Sequence, residues 1–234
     1  LTAAMCGIIG YIGEQEAASI LLEGLRGLEY RGYDSAGIAV QQSEAVHAFK
    51  AIGRLDQLET KIGDFRSIGP VTAIGHTRWA THGKATEANA HPHRLGDSSS
   101  VHNGIIENYL GLRASLDTPF EGQTDSEVIV HLFEHYAREA GSDAPGCLRA
   151  FRAMLDRLQG AYAILLMTRR APGSLCNRHS YFPARCWSCL IRRCPRVPFP
   201  DLAFLPGRSI DPSAIRPPCK RVELPNRLPD RIGL

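Results

Sequence analysis

Apolar positions along the chain change period several times, and each change predicts an element. Met5-Cys6-Gly7-Ile8-Ile9-Gly10-Tyr11-Ile12-Gly13 is a short apolar run rich in Ile and Gly and reads as a strand. From Glu14 to Tyr30 the residues Ala17, Ile20, Leu21, Gly24, Leu25 and Leu28 recur at the spacing of an amphipathic helix. The glycine-punctuated Arg31-Gly32-Tyr33-Asp34-Ser35-Ala36-Gly37 is a turn, Ile38-Ala39-Val40 opens a second strand, and Ala45 to Lys50 can pair with it as a hairpin. Leu55 to Ile62 predicts a short helix, and Val71 to Gly75 a strand leading into His76-Thr77-Arg78-Trp79-Ala80-Thr81-His82-Gly83. His91-Pro92-His93 and Ser98-Ser99-Ser100 read as loop, and Val101 to Ile106 as a strand in which Asn103-Gly104 has the composition of a tight turn. Helices are predicted at about 107–116, 126–139 and 147–159, the second with Thr124 and Glu127 at capping-box spacing. Ala161 to Met167 is a continuous apolar run of strand length, buried on both faces. Strands and helices in this mixture give an α+β class.

Past about residue 168 the periodicity stops and composition changes with it. Of the 234 residues, those after 170 hold eleven of the fifteen prolines and five of the seven cysteines. The net charge of +3 divides into about −4 before that point and +7 after it. A shift of this size marks a boundary between residues 6–168 and an unrelated Pro/Arg/Cys-rich tail, 169–234. So little apolar pattern cannot offset the entropy of ordering the tail, which is expected to be disordered and protease-sensitive. A change of reading frame or a fusion would produce such a join. Neither a secretory apolar segment nor a run of about 18 apolar residues is present, so a cytoplasmic, non-membrane protein is expected.

The candidate chemistry begins at Cys6. If Met5 is the initiator and is removed, with Leu1 to Ala4 a misassigned start, Cys6 carries a thiol of pKa about 8.5 and an α-amine of about 7.7 to 8.0. Such a pair is a nucleophile with its own base. The competing reading of the same residues is a small buried cysteine at a strand start. Two metal readings are weaker. His131-Leu132-Phe133-Glu134-His135 fits an inverted zinc-peptidase pattern, yet Ile129, Leu132, Phe133 and Tyr136 define the buried helix face and leave both histidines on solvated flanks. Cys186, Cys189 and Cys194 with His179 lack a matched second knuckle. The tail's arginines form no helical stripe for nucleic acid. No metal, cofactor or nucleic-acid partner is expected.

Five segments, in order, carry a resemblance: Cys6-Gly7-Ile8-Ile9-Gly10, Leu28 to Gly37, Gly75 to Gly83, Asn89-Ala90-His91-Pro92-His93 and Val101 to Tyr109. Together they resemble the glutaminase domain of the isomerizing glutamine:fructose-6-phosphate aminotransferases, over about residues 5–168. The resemblance implies an N-terminal-nucleophile hydrolase fold, a four-layer αββα sandwich of two antiparallel sheets, here incomplete because the family's further strands are not recognisable in the tail. It also implies roles. Cys6 is the nucleophile, and Asn103 and Gly104 form the oxyanion hole through a side-chain NH₂ and a backbone N–H. Arg78 clamps the substrate carboxylate and Asp125 its ammonium, while Trp79, Thr81 and His82 belong to a loop that closes over glutamine. Taken singly, Arg78 reads equally as a surface cation, Asp125 as a first-turn helix acid and Asn103-Gly104 as a hairpin turn.

The implied activity is glutamine amide hydrolysis through a Cys6 thioester, releasing glutamate and ammonia. In the parent enzyme, expected to be a homo-oligomer, that ammonia is passed to fructose 6-phosphate to make glucosamine 6-phosphate. The sugar phosphate is therefore a partner only through isomerase domains that this chain does not show. The alternative is a non-catalytic, truncated or frame-shifted remnant of that enzyme.

Overall fold

The structure, a computed structural model, describes residues 6–28, 33–79, 83–180 and 189–193, with 179–180 and 189–193 described by their backbone alone. In chain order the elements are β1 (Gly7–Gly13), α1 (Ala17–Arg26), β2 (Ser35–Gln42), β3 (Ala45–Ile52), α2 (Leu55–Ile62), β4 (Val71–Arg78), β5 (His93–Leu95), β6 (Ser98–Ile106), α3 (Tyr109–Ala114), α4 (Glu127–Ala140), α5 (Ala144–Leu155), β7 (Gly160–Thr168), β8 (Cys176–Ser180) and β9 (Cys189–Arg193). One sheet has the order β3-β2-β4-β1-β9 and the other β5-β6-β7-β8. Among the described residues no helix is long and apolar enough to cross a membrane.

The period of two along each strand sorts side chains into layers. Ile8 and Ile12 of β1, Ile74 of β4, Val101 of β6 and Ala163, Leu165 and Met167 of β7 form one cluster, where the sheets meet face to face. The intervening Ile9, Tyr11 and Ala73 turn the other way, onto Leu21, Leu22 and Leu25 of α1 and Leu55 and Leu58 of α2. On the second sheet Tyr162, Ile164 and Leu166 face outward onto α4 and α5, packing with Phe133 and Phe151, both fully buried. Burying one such side chain contributes roughly 1.5–3 kcal/mol. Three apolar interfaces between four layers are the αββα sandwich of an α+β protein.

Local chemistry fixes the element ends. Glu16 caps α1, its carboxylate accepting from the N–H groups of Ala18 at 3.0 Å and Ser19 at 2.6 Å. Asp143 caps α5 by accepting from Gly146 N–H at 2.7 Å, with Pro145 in the first turn, where its missing N–H costs nothing. The helix predicted from about residue 147 therefore begins three residues earlier, at Ala144.

Several expectations are corrected. Asn103-Gly104 is no hairpin turn: both lie inside β6, paired with Ala163 and Tyr162 of β7. Ser98 to Ser100 are strand as well, and buried, with Ser98 Oγ donating to the Glu134 carboxylate. The capping box does not form. Thr124 Oγ1 meets His93 Nε2 at 3.1 Å, and the Glu127 carboxylate accepts from the N–H groups of Glu121 and Gly122, each at 2.8 Å, pinning the loop before α4. The solvated-flank reading fails at His131, which is 3% exposed, stacked on Phe120 at 3.9 Å and bonded to Thr118. His135, in contrast, is exposed.

Regular structure also continues past the expected boundary at 168. Residues 176–180 pair antiparallel with β7, from Tyr162↔Ser180 to Leu166↔Cys176. A five-residue strand at a sheet edge is held by ladder hydrogen bonds on one side and needs no strict alternation, which is why composition hid it. β9 runs parallel to β1, so the first sheet is mixed and not purely antiparallel. Residues 181–188 and 194–234 lie outside the described residues, and with them the rest of the expected tail.

Candidate active site

Strand parity brings the site together. Cys6 precedes β1 with the parity of the inward-facing Ile8, His76 and Arg78 share the parity of Ile74 on β4, and Asn103 shares that of Val101 on β6. Because β1 and β4 run antiparallel with Gly7 opposite Thr77, the start of β1 adjoins the end of β4. Gly7 N–H is held by Thr77 Oγ1 at 3.1 Å, fixing the backbone next to Cys6. The inward ends of both strands thus face β6 across the sheet interface.

Cys6 is partly exposed, and its Sγ accepts the backbone N–H of Trp79 at 3.1 Å. Burial pushes the thiol pKa up and the nearby Asp34 carboxylate adds to this, while the Trp79 N–H and the Arg78 guanidinium oppose it. The net shift is upward, so the resting sulfur is a protonated thiol. Asn103 reaches across from the other sheet and donates from Nδ2 to the Cys6 carbonyl oxygen at 2.8 Å. Its Oδ1 is 2.7 Å from His76 Nε2.

Gly104 has φ +124, and a Cβ there would sit 2.1 Å from the Ala161 carbonyl oxygen, so only glycine carries the strand past this point. Arg78 is buried, with Nη1 3.5 Å from Asp34 Oδ1 and 3.4 Å from the Lys84 carbonyl, and Nη2 donating to the Gly83 carbonyl at 3.2 Å. Asp125 is buried too, its Oδ2 accepting from Ile106 N–H at 2.8 Å, two residues beyond Gly104. Trp79 is 42% exposed, and it is the backbone N–H of this residue that meets Cys6. Thr81 and His82 lie outside the described residues.

The structure therefore joins Cys6, Arg78, Trp79, Asn103 and Gly104 at one end of the sheet interface, and adds residues that the sequence did not single out. Asp34 sits beside Arg78, Thr77 anchors Gly7, and His76 contacts Asn103. Asn89 ties the loops together, accepting from Gln123 N–H at 2.8 Å and donating to the Lys84 carbonyl at 3.0 Å. His76 could have been found from parity, two residues after the buried Ile74. His91 stacks on His76 with ring centroids 4.0 Å apart, and His93 meets His91 at 4.7 Å. Among the described residues, no three His, Cys, Asp or Glu side chains are arranged to hold a metal ion.

Comparison with known proteins identifies the family. The family described as glutamine amidotransferase domain matches residues 76–181. The glutamine–fructose-6-phosphate aminotransferase (isomerizing) of Campylobacter jejuni is 51% identical over 181 residues, which is 76% of this chain and 29% of that protein. Its counterpart in Helicobacter pylori is 48% identical over 182 residues, 76% of this chain and 30% of that protein. Among solved structures, a glutamine phosphoribosylpyrophosphate amidotransferase from B. subtilis superposes with a TM-score of 0.56 at 27% identity, covering 70% of this chain and 35% of the other. A structure described as the allosteric regulatory enzyme of purine biosynthesis gives 0.58 at 29% identity, with the same shares of 70% and 35%. The chain spans under a third of the length of these aminotransferases. It carries a glutamine amidotransferase domain, with the N-terminal-nucleophile fold of the amidotransferases it superposes on and a sequence similar to that of the isomerizing glutamine–fructose-6-phosphate aminotransferases.

Proposed function

We propose that this domain hydrolyses the side-chain amide of L-glutamine through a thioester on Cys6. The observation that supports it most is the meeting of Cys6 and Asn103 across the sheet interface, where the Asn103 amide donates to the backbone carbonyl of the residue that carries the thiol. In the first step Sγ attacks the amide carbon as the Cys6 α-amine takes the thiol proton. A thiol whose pKa is raised by burial needs such a base. The negative charge collects on the former carbonyl oxygen, where Asn103 Nδ2 and the Gly104 N–H receive it. The Asn103 amide has two hydrogens: one is on the Cys6 carbonyl, and the other is directed to the oxyanion.

Collapse of the intermediate expels the nitrogen, which takes the proton from the α-ammonium and leaves as ammonia. Water then attacks the thioester, the amine again acting as base, and glutamate departs with the thiol restored. Arg78 binds the glutamine carboxylate with its guanidinium fork and Asp125 pairs with the ammonium. Trp79, Thr81 and His82 belong to the loop that closes over the substrate. In a longer polypeptide of the aminotransferase kind, forming homo-oligomers, the ammonia is passed on to fructose 6-phosphate to make glucosamine 6-phosphate.

In the chain as written, the nitrogen of Cys6 is an amide joined to Met5 and cannot act as a base. Removal of Leu1 to Met5 is thus part of the proposal. Glutamate release from glutamine, compared between the chain freed at Cys6 and the chain proven by N-terminal sequencing to retain Leu1, tests it. General-base assistance is worth roughly 10²–10⁴ in rate, and the freed chain is faster by that order. Equal turnover would remove the α-amine from the mechanism.

A further inference from the structure

Beyond the residues that touch substrate in this reading, on which the inference rests, the geometry points to His76 as a positioning residue: its Nε2–H locks the Asn103 side-chain amide with Nδ2 toward Cys6 and Oδ1 away from it. Nε2 lies 2.7 Å from Asn103 Oδ1 and 3.0 Å from the His102 carbonyl oxygen. A carbonyl oxygen can only accept, so the nitrogen facing it must carry the hydrogen. The hydrogen in turn requires an oxygen, not an NH₂, at the Asn103 atom it faces.

The other end of the amide gives the same answer independently. Asn103 donates to the Cys6 carbonyl at 2.8 Å. If the amide were reversed, two oxygens would confront each other there while two donors confronted each other at His76. The reversed rotamer would also turn a lone pair toward the developing oxyanion, converting a stabilising contact into a repulsive one.

The surroundings hold His76 in the required state. It is 1% exposed, and burial lowers its pKa to about 3, so the ring is neutral at neutral pH. In the neutral ring with hydrogen on Nε2, Nδ1 keeps the lone pair, and Nδ1 has no hydrogen-bond partner among the described residues. An unpaired acceptor at that atom is consistent, whereas a second hydrogen would be a buried, unmet donor. The His91 ring, 4.0 Å away and tilted by 35°, backs the imidazole and fixes its plane.

Nitrogen-15 NMR of the full chain, selectively labelled in histidine, reads the tautomer without any turnover. The expected result is a neutral His76 ring protonated at Nε2, and a ring protonated at Nδ1 overturns the proposal even if the chain proves to be an active glutaminase. A chain that releases no glutamate defeats the proposed function, and the tautomer still judges the hold on Asn103. In the active chain His76→Leu lowers kcat about 10²-fold, the cost of a misplaced catalytic group, with KM for glutamine within about threefold. His76→Gln places an amide N–H near the position of Nε2 and restores kcat to within about tenfold of the parent. In an Asn103→Ala background His76→Leu costs nothing further. Equal losses in both backgrounds, or no rescue by glutamine, would show that His76 acts on something other than Asn103.

Discussion

Asn103 on β6 and Cys6 just before β1 of the other sheet, 97 positions apart, are joined by a 2.8 Å hydrogen bond from the asparagine amide to the cysteine carbonyl. The bond exists because β1 and β6 pack face to face, so the stacking of the two sheets sets the distance between nucleophile and oxyanion donor. Asn103→Ala removes the donor while leaving His76 its second acceptor, the His102 carbonyl. The expected loss is about 10²–10³ in kcat, as for other oxyanion donors, with KM little changed. A variant that loses affinity instead of kcat would place Asn103 in substrate binding.

Arg78 is expected to act on binding. Its guanidinium is buried and within 3.5 Å of Asp34, with two loop carbonyls as further partners. Arg78→Lys keeps the charge but loses the fork that matches a carboxylate. KM for glutamine rises about tenfold or more while kcat stays within a few-fold. Steady-state kinetics of glutamate release separate the two parameters.

At Gly104 the constraint is steric and conformational at once. A methyl group there meets the Ala161 carbonyl at 2.1 Å, and φ of +124 is outside the range of other residues. Gly104→Ala therefore costs about 2 kcal/mol or more, by strain and by lost β6–β7 pairing. Denaturant unfolding measures this, and a change under about half a kcal/mol would mean that the strand can shift without harm.

The apolar run of Ile8, Ile9, Tyr11 and Ile12 made β1 legible from sequence as a strand, and the helical spacing of Leu55, Leu58 and Ile62 made α2 legible because that helix has one apolar face. In α4 this fails. Val128 to Glu134 are all buried, polar His131 and Glu134 included, because the helix is covered on more than one side. A single apolar stripe cannot report that. Asn103-Gly104 misled for another reason: a glycine with positive φ serves a hairpin turn and a crowded strand equally well, and only the register with Ala161 to Ala163 distinguishes them. The candidate residues themselves were legible as motifs. Their joining was not, since it depends on sheet stacking that no local pattern encodes.

Acid should weaken the fold. His76, His91, His93 and His102 are buried and burial lowers the pKa of each, to about 3 for His76 and for His93. In the unfolded chain they titrate near 6.5, so below that pH the unfolded state binds more protons. The stabilisation is complete above about 6.5 and is progressively lost as pH falls below it. Glu127 acts in the same direction at lower pH. Although burial opposes it, His131 and the Glu121 and Gly122 N–H groups bring its carboxyl down to about 2, and that stabilisation is lost as pH falls from about 4.5. Thermal midpoints should fall from pH 8 to pH 5, and a flat profile would contradict neutral burial of the four rings.

The central claim is that the Cys6 thiol is the group that attacks glutamine, and a glutamine-analogue diazo ketone tests it most directly. The chain freed at Cys6 is treated with the reagent, digested and mapped by mass spectrometry, with excess glutamine as competitor in a parallel sample. The account predicts one adduct, on Cys6, suppressed by glutamine, with the buried Cys147 and Cys176 unmodified. An adduct on Cys147 or on a cysteine beyond residue 180, with Cys6 untouched, would contradict it.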